Sequence, residues 1–286
     1  VYAFSAAGSP SVMYSAGGDK HVLEWDLGSG TLKGAIARSP ATIYSLGYIP
    51  GTHQLVIGQA AGGLHVIDLQ QKKEIHHFTV HAKGIFSLKY DPASQRLFAA
   101  SADGLLSAWD TRDWSLLATV PLSPDKIRSI AVSPSQEKIA VACSDSFIRI
   151  LNYTTLAVVR EFKAHDWSTN VVCWHPEKPL LLSGSKDAHL RIWDAGDDFV
   201  MHESIPAHNY AIYSLVFSPD SRFFATGSRD KTIKLWDART FEFILRISHE
   251  AHNSHTHSVN ALYWHEHTNI LLSGGDDRNV IGWNIS

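Results

Sequence analysis

Three observations predict an all-β protein built from seven similar antiparallel units. Seven short apolar segments end in the same dipeptide or a worn form of it: Trp25-Asp26, Ile67-Asp68, Trp109-Asp110, Leu151-Asn152, Trp193-Asp194, Trp236-Asp237 and Trp283-Asn284. Their spacings are 42, 42, 42, 42, 43 and 47 residues, within the range of four-stranded propeller blades and outside that of helical solenoids. Within the clearest period, apolar and polar residues alternate as half-buried strands require. The expected fold is therefore a seven-bladed β-propeller of four-stranded antiparallel blades, forming a single domain over 1–286. The repeats fall at about 1–36, 37–78, 79–121, 122–162, 163–205, 206–248 and 249–286.

Residues 208–237 show the unit. His208 is followed by AIYSLVFSPD, RFFATGSRD and KTIKLWD, with Asp, Ser and Pro supplying the turns between strands. A fourth segment, FEFILRI at 241–247, leads into the next repeat. Equivalent outer strands are expected near 31–36, 73–78, 116–121, 157–162 and 200–205, which makes six for seven blades. Val1 aligns four positions after the place of the first unit's His. Either the reading frame begins earlier and this chain is a piece of it, or the last blade stands three-stranded with an edge near 279–284. The expectation is a last blade without its outer strand.

Composition narrows the function classes. A net charge of −3 gives no basic field for displacing counterions from phosphates, so duplex nucleic acid is not an expected partner. Two cysteines, Cys143 and Cys173, are too few for a disulfide framework. With no secretory h-region and no 18-residue apolar span, no membrane association is expected and a cytoplasmic location is the default.

Counting back from each Trp aligns further residues. A His stands 28 residues earlier at His81, His165, His208 and His255. An Asp stands six earlier at Asp19, Asp103, Asp145, Asp187, Asp230 and Asp277, and a hydroxyl ten earlier at Ser15, Ser183, Thr226 and Ser273. This pattern resembles the Trp-Asp (WD) repeat family of β-propellers, and the resemblance covers the whole chain. It implies blades arranged around a central channel, and a buried hydrogen-bond network of His, hydroxyl, Asp and Trp in each blade. Three blades carry the full set: His165, Ser183, Asp187 and Trp193; His208, Thr226, Asp230 and Trp236; His255, Ser273, Asp277 and Trp283. Blade three has Ala99 at the hydroxyl position. Blade two offers Ser39, Ile57, Ala61 and Ile67, and blade four Ser123, Val141, Asp145 and Leu151. Those two are expected to rely on apolar packing alone and to be softer.

His, Asp and Ser are also the ingredients of a nucleophilic triad. A catalytic trio is needed once, whereas this one recurs and ends each time on an indole, so a structural role is expected. The segment 248–257, SHEAHNSHTH, accounts for the longer last repeat. His249, His252 and His257, with Glu250, have the chemistry to hold Zn²⁺, but His255 is claimed by the network and no helix is expected to fix their spacing. A solvated loop enlargement is the plainer reading. Gly28, Gly30 and Gly34 form a turn between strands and no phosphate cradle. No cofactor, metal or enzyme activity is expected.

Binding candidates come from positions that the repeat defines. Five residues after the His position stand Tyr2, Tyr44, Phe86, Arg128, Asn170, Tyr213 and Asn260. The resemblance places this level near the channel mouth, where rings could hold a peptide side chain and the two asparagines its backbone. The alternative is rings that contact only one another. On the same face, Lys186 and Arg229 precede the turn aspartates. Trp167, Tyr210 and His257 stand two residues after their His, giving a basic and aromatic patch suited to an acidic or phosphorylated segment. The expected function is a non-catalytic scaffold for protein or peptide partners, as a monomer or a subunit of a hetero-complex. Two rivals are a metal-dependent or hydrolytic enzyme using 249–257, and a subunit joined to a larger assembly through the open edge of the last blade.

Overall fold

The structure, a computed structural model, describes residues 1–285; Ser286, the last residue of the seventh repeat, lies outside them. The chain divides into two compact units, Val1–Arg128 and Ser129–Ser286. Within the first, one sheet comprises β1 (Ala3–Ala6), β2 (Val12–Ala16), β3 (His21–Asp26) and β4 (Thr31–Arg38). A second comprises β5 (Ile43–Ile49), β6 (Gln54–Gln59), β7 (Leu64–Asp68) and β8 (Lys73–Phe78), and a third β9 (Ile85–Asp91), β10 (Arg96–Ser101), β11 (Leu105–Asp110) and β12 (Ser115–Pro121).

The fourth sheet starts at the unit boundary with β13 (Ile127–Val132) and continues with β14 (Lys138–Cys143), β15 (Phe147–Asn152) and β16 (Val158–Lys163). The fifth contains β17 (Thr169–Trp174), β18 (Leu180–Ser185), β19 (His189–Asp194) and β20 (Val200–Pro206). The sixth contains β21 (Ile212–Phe217), β22 (Phe223–Ser228), β23 (Ile233–Asp237) and β24 (Phe243–Ile247). The seventh has three strands among the described residues, β25 (Val259–Trp264), β26 (Ile270–Gly275) and β27 (Val280–Asn284). These are the antiparallel blades of an all-β, seven-bladed propeller, the last one without an outer strand.

Burial follows position in the blade. The second strands, such as β10 and β18, are buried almost throughout, whereas the outer β16 and β20 are exposed along most of their length. The core lies between facing sheets: Val12, Tyr14, Ile43 and Leu55 pack together in the first unit, and Leu182, Ile192, Ile212 and Phe224 in the second. Burying such side chains contributes about 1.5–3 kcal/mol each.

The turn between the second and third strands is fixed by local chemistry. The residue after the turn aspartate has positive φ: Lys20 (67°), Ser146 (76°), Ala188 (67°), Lys231 (72°) and Arg278 (67°). The aspartate side chain accepts a backbone N–H two residues on, as in Asp103 to Leu105 (3.1 Å), Asp145 to Phe147 (3.1 Å) and Asp187 to His189 (2.9 Å). This side-chain turn supports the left-handed residue. In blade two the pair is Ala61-Gly62, and Gly62 (φ 89°) takes the conformation without an aspartate to support it.

One local expectation needs correction. The insertion at 248–257 contains a single helical turn, α1 (His249–His252), ended by Asn253 in the left-handed region (φ 52°). A turn this short has no buried face, so no apolar periodicity announced it.

Candidate functional site

In blade five the indole Nε1 of Trp193 donates to Ser183 Oγ (2.9 Å), which lies 2.8 Å from His165 Nε2; His165 Nδ1 lies 3.0 Å from Asp187. Blade six repeats this with Trp236 to Thr226 (2.9 Å), Thr226 to His208 (2.8 Å) and His208 to Asp230 (2.9 Å). Blade seven has Trp283 to Ser273 (2.8 Å), Ser273 to His255 (2.8 Å) and His255 to Asp277 (2.9 Å). An indole N–H can only donate. The hydroxyl proton therefore points to Nε2, and the Nδ1–H donates to the carboxylate. The same carboxylates accept the backbone N–H of Asp166, Asn209 and Thr256, so loop, turn and strand are tied at one point. Ser183, Thr226 and Ser273 are 0% exposed, which closes these hydroxyls to any substrate.

Burial pushes the Asp187 and Asp230 carboxyls up, but hydrogen bonds from His165 and His208 and from backbone amides outweigh it and hold both well below the usual carboxylate range. Burial also lowers His165 and His81, against the pull of their aspartates. Both imidazoles are neutral links.

The incomplete blades are not held by apolar packing alone. In blade three, Ser107 Oγ accepts from Trp109 Nε1 (2.9 Å) and lies 2.8 Å from His81 Nε2. Ser107 pairs directly with Ala99 across the ladder, so the missing hydroxyl comes from the opposite end of the same rung. In blade four the rung is Val141 to Arg149. The buried Arg149 reaches Asp145 (2.8 Å) and Glu161 (2.6 Å); burial opposes its charge, and the Asp145 hydrogen bond together with the other neighbouring acceptors and charges outweighs it. In blade two the rung is Ile57 to His65, and His65 Nδ1 lies 2.8 Å from Glu74. Ser39 Oγ there donates to Gln59 Oε1 (2.9 Å). In blade one, Trp25 donates to Ser15 (2.8 Å).

Four of the seven positions expected at the channel mouth form a continuous row in the first unit. The Tyr2 and Tyr44 rings meet edge to face at 5.7 Å, Tyr44 and Phe86 lie 4.9 Å apart, and the Arg128 guanidinium sits 4.5 Å over Phe86. In the second unit Asn170 is buried, and its side-chain amide donates to the Ile212 carbonyl (3.0 Å). It links two blades, and its Oδ1 accepts from Ser168 Oγ (3.0 Å). Asn260 donates to Asp276 (2.7 Å), and Tyr213 is half-buried.

The upper-face residues are presented by a repeated backbone bracket. Ser185 Oγ donates to the Ser168 carbonyl (2.8 Å), with the Trp167 carbonyl at 3.3 Å, and Lys186 N–H donates to the Ser168 carbonyl (2.9 Å). Likewise Ser228 Oγ donates to the Tyr210 carbonyl (3.1 Å) and Arg229 N–H to the Ala211 carbonyl (2.9 Å). Trp167 and Tyr210 are nonetheless 56% and 60% exposed, and the Lys186 ammonium lies 4.5 Å over the Trp167 ring. The bracketing serines fall one residue before the cations, a signal visible in the sequence once the register is known.

The His-rich segment is not gathered into one ligand set. His249 Nδ1 donates to the Ser254 carbonyl (2.7 Å), His252 Nδ1 accepts from Ser248 N–H (3.4 Å), and His257 Nδ1 faces Thr256 Oγ1 (3.0 Å). Among the described residues, the His and carboxylate group close enough to share an ion is His65, Glu74 and His77.

Comparison with known proteins agrees with this architecture. The profile described as "WD domain, G-beta repeat" matches residues 72–110, 156–194, 200–237 and 246–284, together more than half of the chain. Similar proteins include THO complex subunit 3 of Arabidopsis thaliana, 26% identical over 60% of this chain and 67% of its own length. The U3 small nucleolar RNA-associated protein 21 homolog of Schizosaccharomyces pombe is 27% identical over 49% of this chain and 16% of its own. The periodic tryptophan protein 2 homolog of Dictyostelium discoideum is 32% identical over 45% of this chain. This chain thus spans two thirds of the first relative, but only 16% and 14% of the other two. With its repeats matched over more than half its length, the chain belongs to the WD domain, G-beta repeat family.

Proposed function

We propose that this protein is a non-catalytic scaffold that holds an acidic or phosphorylated segment of a partner protein against the cation and aromatic pairs of blades five and six. The observation that carries this reading is the pairing of exposure with rigidity. Trp167 and Tyr210 are more than half exposed, yet their loops are pinned by Ser185 and Ser228. Rings presented this way lose little loop entropy on binding and supply large contact areas. Lys186 and Arg229 add two exposed cations for carboxylate or phosphate.

The relatives support an assembly role, since one is named as a subunit of a complex. The Tyr2, Tyr44, Phe86 and Arg128 row supports a second capture site for an apolar peptide side chain. Its rings already contact one another, so it gains less from a partner than Trp167 and Tyr210 do.

A fluorescent peptide of Glu and phosphoserine residues, followed by anisotropy, tests the main site. Wild type should bind it, and the pairs Trp167→Ala with Tyr210→Ala and Lys186→Glu with Arg229→Glu should each abolish binding without lowering the unfolding midpoint. Affinity unchanged in both variants would place the site elsewhere.

A further inference from the structure

On the outer strands of blade two, His65 and His77 are direct cross-strand partners on β7 and β8. Their rings stack at 4.3 Å and 8° between planes. Glu74, on β8 beyond the bulge that follows Val66, brings Oε2 to 2.8 Å from His65 Nδ1. One ligand atom from each of the three residues lies within 4.8 Å of the others. We propose that His65, His77 and Glu74 form a binding site for Zn²⁺ or a similar divalent transition metal that staples the third strand of blade two to its outer strand.

The donor set suits such an ion. Two imidazoles and a carboxylate are the borderline ligands that Zn²⁺ takes in three-ligand sites, with solvent completing the tetrahedron. His65 is 6% exposed, and its Nε2 is buried with no hydrogen-bond partner. A Cβ at position 63 would come within 2.7 Å of that nitrogen. Gly63 therefore makes room for the ring, and the stacked His77 covers its face. The buried imidazole is thus held with only its Nδ1 edge turned towards the carboxylate. His77 and Glu74 are exposed, so the His77 ring can turn out of the stack to aim an in-plane nitrogen at the ion, and Glu74 can open its short contact with His65 to the roughly 3–3.5 Å that bonds of about 2.0–2.2 Å require.

The location has a physical logic. Blade two lacks the Trp, Asp and hydroxyl of the common network and has only Ser39 with Gln59 in its place. A metal joining two strands would stabilise the folded chain in proportion to its occupancy.

The test uses the full chain without an affinity tag, stripped with a chelator and titrated with ZnCl2 by calorimetry, with thermal unfolding in parallel. Wild type should take up one Zn²⁺ at this site and unfold at a higher temperature as Zn²⁺ rises. His77→Ala and Glu74→Gln should each weaken that binding by more than the roughly 10–100-fold that loss of an outer-shell contact costs. His249→Ala with His252→Ala should leave it unchanged. Because His77 and Glu74 lie exposed on an outer strand, both variants should unfold like wild type in chelator. Absence of Zn²⁺ uptake by wild type, or uptake that survives His77→Ala and Glu74→Gln, would overturn the proposal. So would uptake lost in the His249 and His252 variant alone.

Discussion

Ser107 stands directly opposite Ala99 on the neighbouring strand and gives His81 and Trp109 the hydroxyl that Ala99 lacks. Removing it orphans a buried indole donor and a buried imidazole nitrogen. Ser107→Ala should therefore destabilise the chain by about 2–4 kcal/mol. Adding Ala99→Ser should recover most of that loss, because the hydroxyl returns to the same rung. Urea unfolding of the single and double variants checks it; a double variant no more stable than Ser107→Ala would show the two ends are not equivalent.

Arg149 is buried between Asp145 and Glu161. Truncating one member of a buried ion pair leaves an uncompensated charge, so Arg149→Ala should cost about 3–5 kcal/mol. Replacing an exposed arginine such as Arg239 should cost less than about 0.5 kcal/mol. Chemical denaturation of the two variants, compared with wild type, separates them.

Stability should fall on acidification in two windows. Burial lowers His81 and His165 in the folded chain, so the unfolded chain binds more protons below about pH 6.5. The stability these residues contribute is complete above that pH and is lost as pH falls towards their folded values. Asp187 and Asp230 are also lowered, and their contribution is lost below about pH 4 by the same sign. Urea midpoints measured from pH 8 to pH 3 should decline across both windows. A midpoint that rose between pH 7 and pH 5 would contradict the buried neutral imidazoles.

Binding of an acidic peptide to blades five and six should weaken several-fold between low and high salt, since Lys186 and Arg229 are exposed and screened. Arg229→Gln should flatten that dependence, whereas Asn170→Ala, which removes a buried link to Ile212, should lower stability by about 1 kcal/mol and leave binding unchanged. Anisotropy titrations at several salt concentrations read both effects.

The sequence exposed the blades because the Trp-Asp spacing is set by the length of four strands and their turns, which each repeat must supply. It also exposed the residues of blades five to seven, whose network reads at fixed offsets along the chain. Ser107, Arg149 and His65 were hidden because they act through strand pairing: each faces its hydroxyl position from a neighbouring strand, and an offset along one strand does not show a rung. The partner of Asn170 was hidden for a related reason. The position of Asn170 was legible, but the Ile212 carbonyl that occupies its amide comes from the next blade, about forty residues away in sequence. The single turn α1 offered no periodic face to detect.

The left-handed residue after each turn aspartate bears on how the chain folds. A hairpin whose turn is closed by its own side chain can form in about 1–10 μs, before any facing sheet is present. Blades carrying Asp19, Asp103, Asp145, Asp187, Asp230 and Asp277 each hold such a self-starting nucleus. Blade two, with Ala61 and Gly62, has no such side chain, and its turn is closed by backbone alone, Gly62 N–H donating to the Gln59 carbonyl and Gln59 N–H to the Gly63 carbonyl (both 3.2 Å). The blade-two hairpin should therefore order later than those of its neighbours in the first unit, a difference that pulsed hydrogen exchange during refolding would read.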